Sequence, residues 1–358
     1  MKPKKVALIL PTLHAGGMER VMAELANYFE SKKNIEVHFV LFGNIVKIFY
    51  PLNPNIIIHQ PHIKSGKNLK IRTFINTIKF IRNTISRISP DAVLSFGTQW
   101  NNLVLLSLFQ TKHRIFVSDR GAPNKVYKFP QEHLKKILYP KASGIIAQTN
   151  TAESIIRNRF PGLRIKTIGN PIRDMAKGEF KENLLLSVGR LITSKHHDRL
   201  IEIFQKLNAP SWKLVIVGGN ALKQNNLELI KDKIDKLAIN DRIILTGEKT
   251  NVAEFYQKSK IFAFTSSVEG FPNVIGEALS AGLPVVSYDC IAGPADMIIN
   301  GENGFLVPVF DDGQFQEKLQ LLIDDEALRE RMETNAIEKI KKYSVESIGQ
   351  QYLDFILS

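Results

Sequence analysis

Three short segments concentrate side chains that could handle a ligand carrying both phosphates and hydroxyls. Residues 269–277 read Glu-Gly-Phe-Pro-Asn-Val-Ile-Gly-Glu, two carboxylates bracketing seven residues. Ionised carboxylates only accept hydrogen bonds, so Glu269 and Glu277 suit the hydroxyl donors of a sugar. Gly270 permits a sharp entry, and Pro272 suits the first turn of a helix. Main-chain donors around Phe271, Asn273 and Val274 would then stand at a helix N-terminus, which attracts an anion. A helix that merely places an acid near its start accounts for Glu277. It does not account for the carboxylate, glycine and proline set ahead of it. Residues 187–191 read Ser-Val-Gly-Arg-Leu, with Lys195 following. One loop after an apolar run thus carries two cations, Arg190 and Lys195. Together they can clamp a diphosphate and stabilise charge developing on it; two solvated surface charges are the alternative. The third segment, 11–20, joins an apolar run to a helical pattern through Gly16-Gly17. Glycines let a ligand approach the main chain. An ordinary tight turn is the alternative, since the G-x-G-x-x-G fingerprint is absent.

These loops need strands to hold them. Short apolar runs recur at 6–10, 37–42, 92–96, 115–118, 144–148 and 166–169, then at 184–188, 213–217, 242–246, 261–265, 284–288 and 304–307. Continuous apolar runs of this length predict strands buried on both faces of parallel sheets. Helical patterns such as 19–29, 225–237 and 273–281 lie between them. The alternation occurs twice and predicts two doubly wound α/β domains. The boundary falls near Gly169-Asn170-Pro171, where Gly and Pro punctuate the chain. Residues 345–357 read as a separate amphipathic helix.

Composition narrows the classes. The 358 residues suit two domains. With 44% hydrophobic and 23% charged residues, the chain is neither disordered nor a membrane bundle. The single cysteine, Cys290, excludes a disulfide framework and a cysteine-based zinc site, and fits a reducing compartment. No run approaches the roughly 18 apolar residues of a spanning helix. The basic start runs into an apolar stretch that Pro11, His14, Glu19 and Arg20 interrupt, so a buried first strand is expected rather than a signal peptide. The eight histidines show no metal-binding spacing. Charge is divided unevenly. Residues 1–170 carry 26 Lys and Arg against 8 Asp and Glu, a net +18; residues 171–358 carry 22 against 27, a net −5. That asymmetry directs the first half toward a polyanion or an anionic membrane.

The two α/β halves, Gly16-Gly17, Gly189-Arg190 with Lys195, and the E-x7-E pattern together resemble a glycosyltransferase of family 4, over nearly the whole chain. Residues 89–93 (Ser-Pro-Asp-Ala-Val), 278–286 (Ala-Leu-Ser-Ala-Gly-Leu-Pro-Val-Val) and 300–307 (Asn-Gly-Glu-Asn-Gly-Phe-Leu-Val) support the likeness. The resemblance implies a GT-B fold, an α/β architecture of two doubly wound Rossmann-like domains facing a central cleft. It implies a retaining transferase with a nucleotide-sugar donor as co-substrate, no cofactor and no metal. Residues 1–170 would bind acceptor, with 344–358 crossing back onto them, and 171–343 would bind donor. Arg190 and Lys195 would hold the donor diphosphate. Glu269 would contact the transferred sugar, with Gly270, Phe271, Pro272, Asn273 and Val274 beside it. Glu277 would hold the ribose hydroxyls, and Gly16 and Gly17 would admit the donor phosphates. Arg190, Lys195 and Glu269 are thus the implied catalytic set. In such enzymes the departing phosphate takes the acceptor proton, so no protein base is named. Many relatives carry a histidine after a first-domain strand. Here residues 117–121 read Val-Ser-Asp-Arg-Gly, which leaves Asp119 and Arg120 as acceptor-binding candidates.

Residues 68–89 read as a helix whose Ile71, Phe74, Ile75, Ile78, Ile81, Ile85 and Ile88 share one face. Lys67, Lys70, Arg72, Lys79, Arg82 and Arg87 accompany them without any acid. A basic amphipathic helix can lie in a membrane interface or attract anionic lipids. Lys67, Lys70 and Arg72 could also grip the pyrophosphate of a lipid-linked acceptor. Docking of the stripe on the chain's own sheet is the alternative. This region is similar to the bacterial polymerising N-acetylgalactosaminyltransferases that extend undecaprenyl-diphosphate-linked glycans at the cytoplasmic membrane face. The expectation is a cytoplasmic, membrane-peripheral enzyme moving a hexose or N-acetylhexosamine, GalNAc first, from a UDP-sugar to such a glycan. A lipopolysaccharide-core, capsule or O-antigen transferase with another donor is the alternative. From other classes stand a non-catalytic sugar-nucleotide scaffold and a nucleic-acid-binding protein. The latter lacks any helix-turn-helix, zinc-finger or RNP motif, so no nucleic-acid partner is expected.

Overall fold

The computed structural model describes residues 2–43, 48–61, 70–221 and 224–358. They divide into two compact units, Met1–Pro171 with Val345–Ser358, and Ile172–Ser344.

The first unit is built on strands β1 (Lys4–Leu10), β2 (Ile35–Leu41), β3 (Ile57–His59), β4 (Ala92–Phe96), β5 (Ile115–Ser118), β6 (Gly144–Ala147) and β7 (Ile165–Thr167). They form one sheet in the order β3-β2-β1-β4-β5-β6-β7, with every pairing parallel. Helices α1 (Gly17–Glu30), α2 (Lys70–Ile88), α3 (Thr98–Ser107), α4 (Gln131–Leu138) and α5 (Asn150–Arg159) connect them. Both faces of the sheet are covered, which is why its strands are apolar without alternation. Ala7 and Ile9 of β1 join a core with Ile81, Ile85, Val104 and Tyr139, while Val6, Leu8 and Leu10 are equally buried toward the opposite face. Strand β3 has no counterpart among the predicted runs. It is three residues long, lies at the sheet edge and leaves Ile57 and Ile58 exposed.

The stripe on α2 is divided. Ile81, Ile85 and Ile88 are buried against the sheet, but Ile71, Phe74 and Ile75 are exposed. The expectation of one continuous apolar face therefore holds for only the second half of the helix as a buried surface.

The second unit runs β8 (Leu184–Val188), α6 (His197–Gln205), β9 (Lys213–Val217), α7 (Asn226–Leu237), β10 (Ile243–Gly247), α8 (Ala253–Lys258), β11 (Ile261–Phe264), α9 (Asn273–Ser280), β12 (Val285–Tyr288), α10 (Pro294–Met297), β13 (Gly304–Val307), α11 (Asp312–Asp324) and α12 (Glu326–Ile340). Its sheet is also parallel, in the order β10-β9-β8-β11-β12-β13. Strand alternation splits its core in two. Ile261 and Ala263 of β11 pack with Trp212 and Phe204 on one face, and Phe262 and Phe264 pack with Ile275 and Leu279 on the other.

The last helix, α13 (Val345–Leu357), belongs to the first unit. Phe355 meets the Phe116 ring edge-on at 5.6 Å, and the Tyr28 hydroxyl donates to Gln350 Oε1 at 3.0 Å. Gly349 is required there, since a Cβ would come within 2.3 Å of the Tyr28 ring.

Candidate functional site

Open parallel sheets bind ligands where the strand order reverses, beyond the carboxyl ends of the strands. In the second unit that point lies between β8 and β11. The loops leaving those two strands contain Gly189-Arg190 with Lys195, and Glu269 with the start of α9. Sheet topology alone therefore gathers two segments that lie far apart in sequence.

Glycine ends the three strands β8, β9 and β10. Gly189 N–H donates to Val217 O at 3.0 Å, Gly218 N–H to Gly247 O at 3.0 Å, and Leu191 N–H to Gly219 O at 2.8 Å. A Cβ on Gly218 would stand 1.9 Å from Gly189 O, so only glycine lets these chains close up. Gly219 faces Glu248. Gly218, Gly219, Gly247 and Glu248 escaped the sequence reading. Their signal is that adjacent apolar runs each end in glycine.

Beyond this floor, Arg190 is exposed and its side chain has no hydrogen-bond partner among the described residues. Lys195 closes a single 3-10 turn, Thr193–Lys195. Its Nζ lies 2.6 Å from Glu269 Oε1 and 4.7 Å from the centre of the Phe264 ring. Both members of the pair are largely shielded, with 16% and 14% of their side chains exposed. The backbone stitches the two loops together. Thr265 Oγ1 donates to Lys195 O at 2.8 Å, and Ser267 N–H donates to Ser194 O at 3.0 Å. His197 opens α6 and is buried. Burial, with Lys195 and His196 nearby, lowers its pKa to about 3.

Helix α9 starts at Asn273, one residue after Pro272. Gly293, at φ 103°, seats that proline: a Cβ would lie 2.1 Å from Pro272 Cδ. Gly276 lets α9 pack on Ile172, which would otherwise meet a Cβ at 2.5 Å. Glu277 sits one turn into the helix, and its Oε2 accepts from the Tyr256 hydroxyl at 3.1 Å. Cys290 is buried in the same region. Burial and the neighbouring Glu269 push its thiol up to about 12, which makes it inert as a nucleophile.

In the first unit the order reverses between β1 and β4. Gly16 stands at the cap position of α1 after β1. The Tyr50 hydroxyl accepts from Gly16 N–H and donates to Gly16 O, both at 2.9 Å. The Glu19 carboxyl lies against Gly16 Cα, where a Cβ would meet it at 2.3 Å, and burial raises its pKa. Gly97, at φ 87°, caps α3 after β4 and lies close to Met18. Tyr50 and Gly97 were not singled out in the sequence. Tyr50 carried no local signal, since its contact spans 34 residues.

Asp119 and Arg120, the acceptor-binding candidates, are half-buried and held by side chains of their own unit. Asp119 is bound by Lys135 and Tyr139 and accepts from Thr98 Oγ1 at 2.8 Å. Burial pushes its carboxyl up, but Lys135 and the hydroxyl donors outweigh this and hold it below the usual carboxylate range. Arg120 stacks on Phe96, 3.4 Å from the ring centre, and donates to Asn170 Oδ1 at 2.9 Å. Arg72 is exposed on α2. Lys67 and the side chain of Lys70 lie outside the described residues.

Comparison with known proteins fits this arrangement. The model of the family Glycosyl transferases group 1 matches residues 172–339. The chain is a glycosyltransferase. The enzyme is 27% identical to the amylovoran biosynthesis glycosyltransferase AmsD of Erwinia amylovora, covering 99% of each chain. It is also 27% identical to the N-acetylgalactosamine-N,N'-diacetylbacillosaminyl-diphospho-undecaprenol 4-alpha-N-acetylgalactosaminyltransferase of Campylobacter jejuni, over 99% of this chain and 100% of that one. The solved structure of Anabaena HepE in complex with UDP and glucose superimposes with a TM-score of 0.79 at 16% identity, covering 98% of each chain. The glycosyltransferase thus has the GT-B fold, with two doubly wound α/β units.

Proposed function

We propose that this glycosyltransferase moves a hexose or N-acetylhexosamine, GalNAc first, from a UDP-sugar to an undecaprenyl-diphosphate-linked or similar membrane glycan, with retention at the anomeric carbon. The observation that carries the reading is the meeting of Lys195 and Glu269 at the reversal point of the second sheet, with Arg190 exposed on the same loop as Lys195. The Campylobacter relative, named for transfer to a diphospho-undecaprenol glycan, and the UDP bound to HepE support the choice of acceptor and donor.

In this reading Arg190 and Lys195 hold the diphosphate, and Glu269 orients the sugar. Glu277 meets the ribose hydroxyls, and Gly16 and Gly17 admit the phosphates. The bond between the anomeric carbon and the diphosphate breaks with its electron pair leaving on UDP. The acceptor oxygen bonds to the same sugar face, and its proton passes to the departing phosphate. Charge growing on that phosphate is met by two cations and the α9 N-terminus. No metal is needed in this scheme. The enzyme would work peripherally on the cytoplasmic membrane face. Among the described residues no helix is long and apolar enough to cross a membrane.

The test is nucleotide release from a panel of nucleotide sugars, with and without a short lipid-diphosphate glycan. Release from one UDP-sugar, boosted by the lipid acceptor, is expected. Turnover restricted to a soluble sugar acceptor would overturn the acceptor assignment. Donor binding without turnover on any acceptor would favour the scaffold.

A further inference from the structure

The exposed half of α2 has a neighbour. Segment 119–130 leaves the end of β5 and returns to α4, and it carries Val126 and Phe129, which are 75% and 85% exposed. This is an ordered loop rather than loose chain. Lys125 N–H donates to Ala122 O at 3.1 Å, and Gln131 N–H to Lys128 O at 3.0 Å. Tyr127, between the two apolar tips, is anchored inward: its N–H donates to Glu132 Oε2 at 3.1 Å and its hydroxyl lies beside Gly121. The loop thus holds Val126 and Phe129 outward.

The charges around the tips are sorted. The acids of this region face inward, Asp119 onto Lys135 and Glu132 onto Arg159. Lys125, Lys128 and Lys136 are exposed, as is Ile137 beside them. On α2 the exposed Ile71, Phe74 and Ile75 are accompanied by exposed Arg72 and Lys79. A crossover helix runs antiparallel to its strands, so the first turns of α2 lie at the carboxyl end of the sheet. The loop leaves β5 at that same end. Helices α2, α3 and α4 pack in sequence in one layer, which puts the two apolar prongs two helix spacings apart, roughly 20 Å.

We propose that these prongs, the first turns of α2 and the 125–129 loop, form a docking surface for an anionic phospholipid bilayer. Apolar tips ringed by cations fit a membrane better than a protein partner, because protein interfaces are depleted of lysine. Each Lys or Arg near an anionic leaflet contributes about 1 kcal/mol, and the tips bury apolar area among the acyl chains. The proposal names the membrane surface of the transferase reading. Vesicle binding requires neither donor nor acceptor, so failure of either leaves the other to be judged separately.

The experiment is co-sedimentation of the full chain with vesicles of phosphatidylglycerol and phosphatidylethanolamine, and with vesicles of phosphatidylcholine alone. The chain should bind the anionic vesicles, release at high salt, and bind phosphatidylcholine at least tenfold more weakly. Val126→Asp with Phe129→Asp should lower binding at least tenfold, and so should Ile71→Asp with Phe74→Asp, at unchanged thermal melting. Val126→Ser with Phe129→Ser removes the apolar tips without adding charge. Wild-type binding by this serine variant, or no vesicle binding by the wild type, would overturn the proposal; the second result would point to a protein partner.

Discussion

Lys195 Nζ and Glu269 Oε1 stand 2.6 Å apart across 74 residues of sequence, each on a loop leaving a strand at the reversal point of the second sheet. In the proposed reaction the ammonium meets a diphosphate and the carboxylate a sugar, and the fold holds the two against each other. The pair keeps both charges matched in a largely shielded place, where an unmatched charge would be costly. It also fixes the separation between the two ligand groups they would contact.

Removal of Arg190 should separate function from folding, whereas removal of Glu269 leaves the shielded Lys195 unmatched and should lower melting as well as turnover. Glu269→Ala is expected to lower turnover at least tenfold, on the order of 1.4 kcal/mol in activation free energy. The Arg190 side chain is exposed and has no hydrogen-bond partner among the described residues, so Arg190→Ala should cost the same in turnover and leave melting unchanged. Steady-state nucleotide release beside a thermal melt checks both. Wild-type turnover in either well-folded variant would remove that residue from the site.

Tyr50 occupies both main-chain groups of Gly16 through one hydroxyl. Tyr50→Phe keeps the ring and removes both hydrogen bonds. If Gly16 receives the donor phosphates, a loosened turn should raise donor KM about threefold to tenfold, equivalent to roughly 1 kcal/mol, with little change in kcat. An equal fall in kcat with unaltered KM would speak against a donor-positioning role.

The Asp119–Lys135 pair is buried, so removing only its acid leaves an ammonium unmatched. Asp119→Ala should destabilise the first unit by on the order of 3 kcal/mol, and a further Lys135→Met should recover much of the loss. Urea unfolding of the single and double variants tests this. If Asp119 acts only through structure, acceptor KM should recover along with stability. An acceptor defect that persists in the stable double variant would return the residue to the acceptor site.

His197 predicts an acid sensitivity with a definite sign. Its folded pKa of about 3 lies below the ordinary 6.5. As pH falls the unfolded chain takes up this proton first. The histidine's contribution is therefore present above pH 6.5 and is lost between there and about 3. From about pH 6.5 to about pH 5 the loss is roughly 1.5 kcal/mol. His197→Met should flatten that part of the stability profile. An unchanged profile in urea unfolding would mean that His197 is not the responsible group.

Metal dependence gives a direct check on how the leaving group is stabilised. With two cations and a helix N-terminus assigned to the diphosphate, turnover in excess EDTA should stay within about twofold of the untreated rate. A collapse restored by a divalent ion would require a metal in the reaction.

The amino-acid sequence determined both sheets' central strands, because a strand buried on both faces must be apolar throughout, and that can be seen locally. It also marked the loops after β8 and β11, whose glycines, cations and carboxylates are unusual in type and spacing. The edge strand β3 stayed hidden because a three-residue exposed strand leaves almost no apolar run. Tertiary structure decided what no local pattern carries. It paired Lys195 with Glu269, pressed Gly218 onto Gly189, and turned Asp119 inward onto Lys135. It also divided the α2 stripe, covering Ile81 and Ile85 and leaving Ile71 and Phe74 exposed. Periodicity says that a helix face is apolar; only the arrangement of neighbouring elements decides how much of that face they cover.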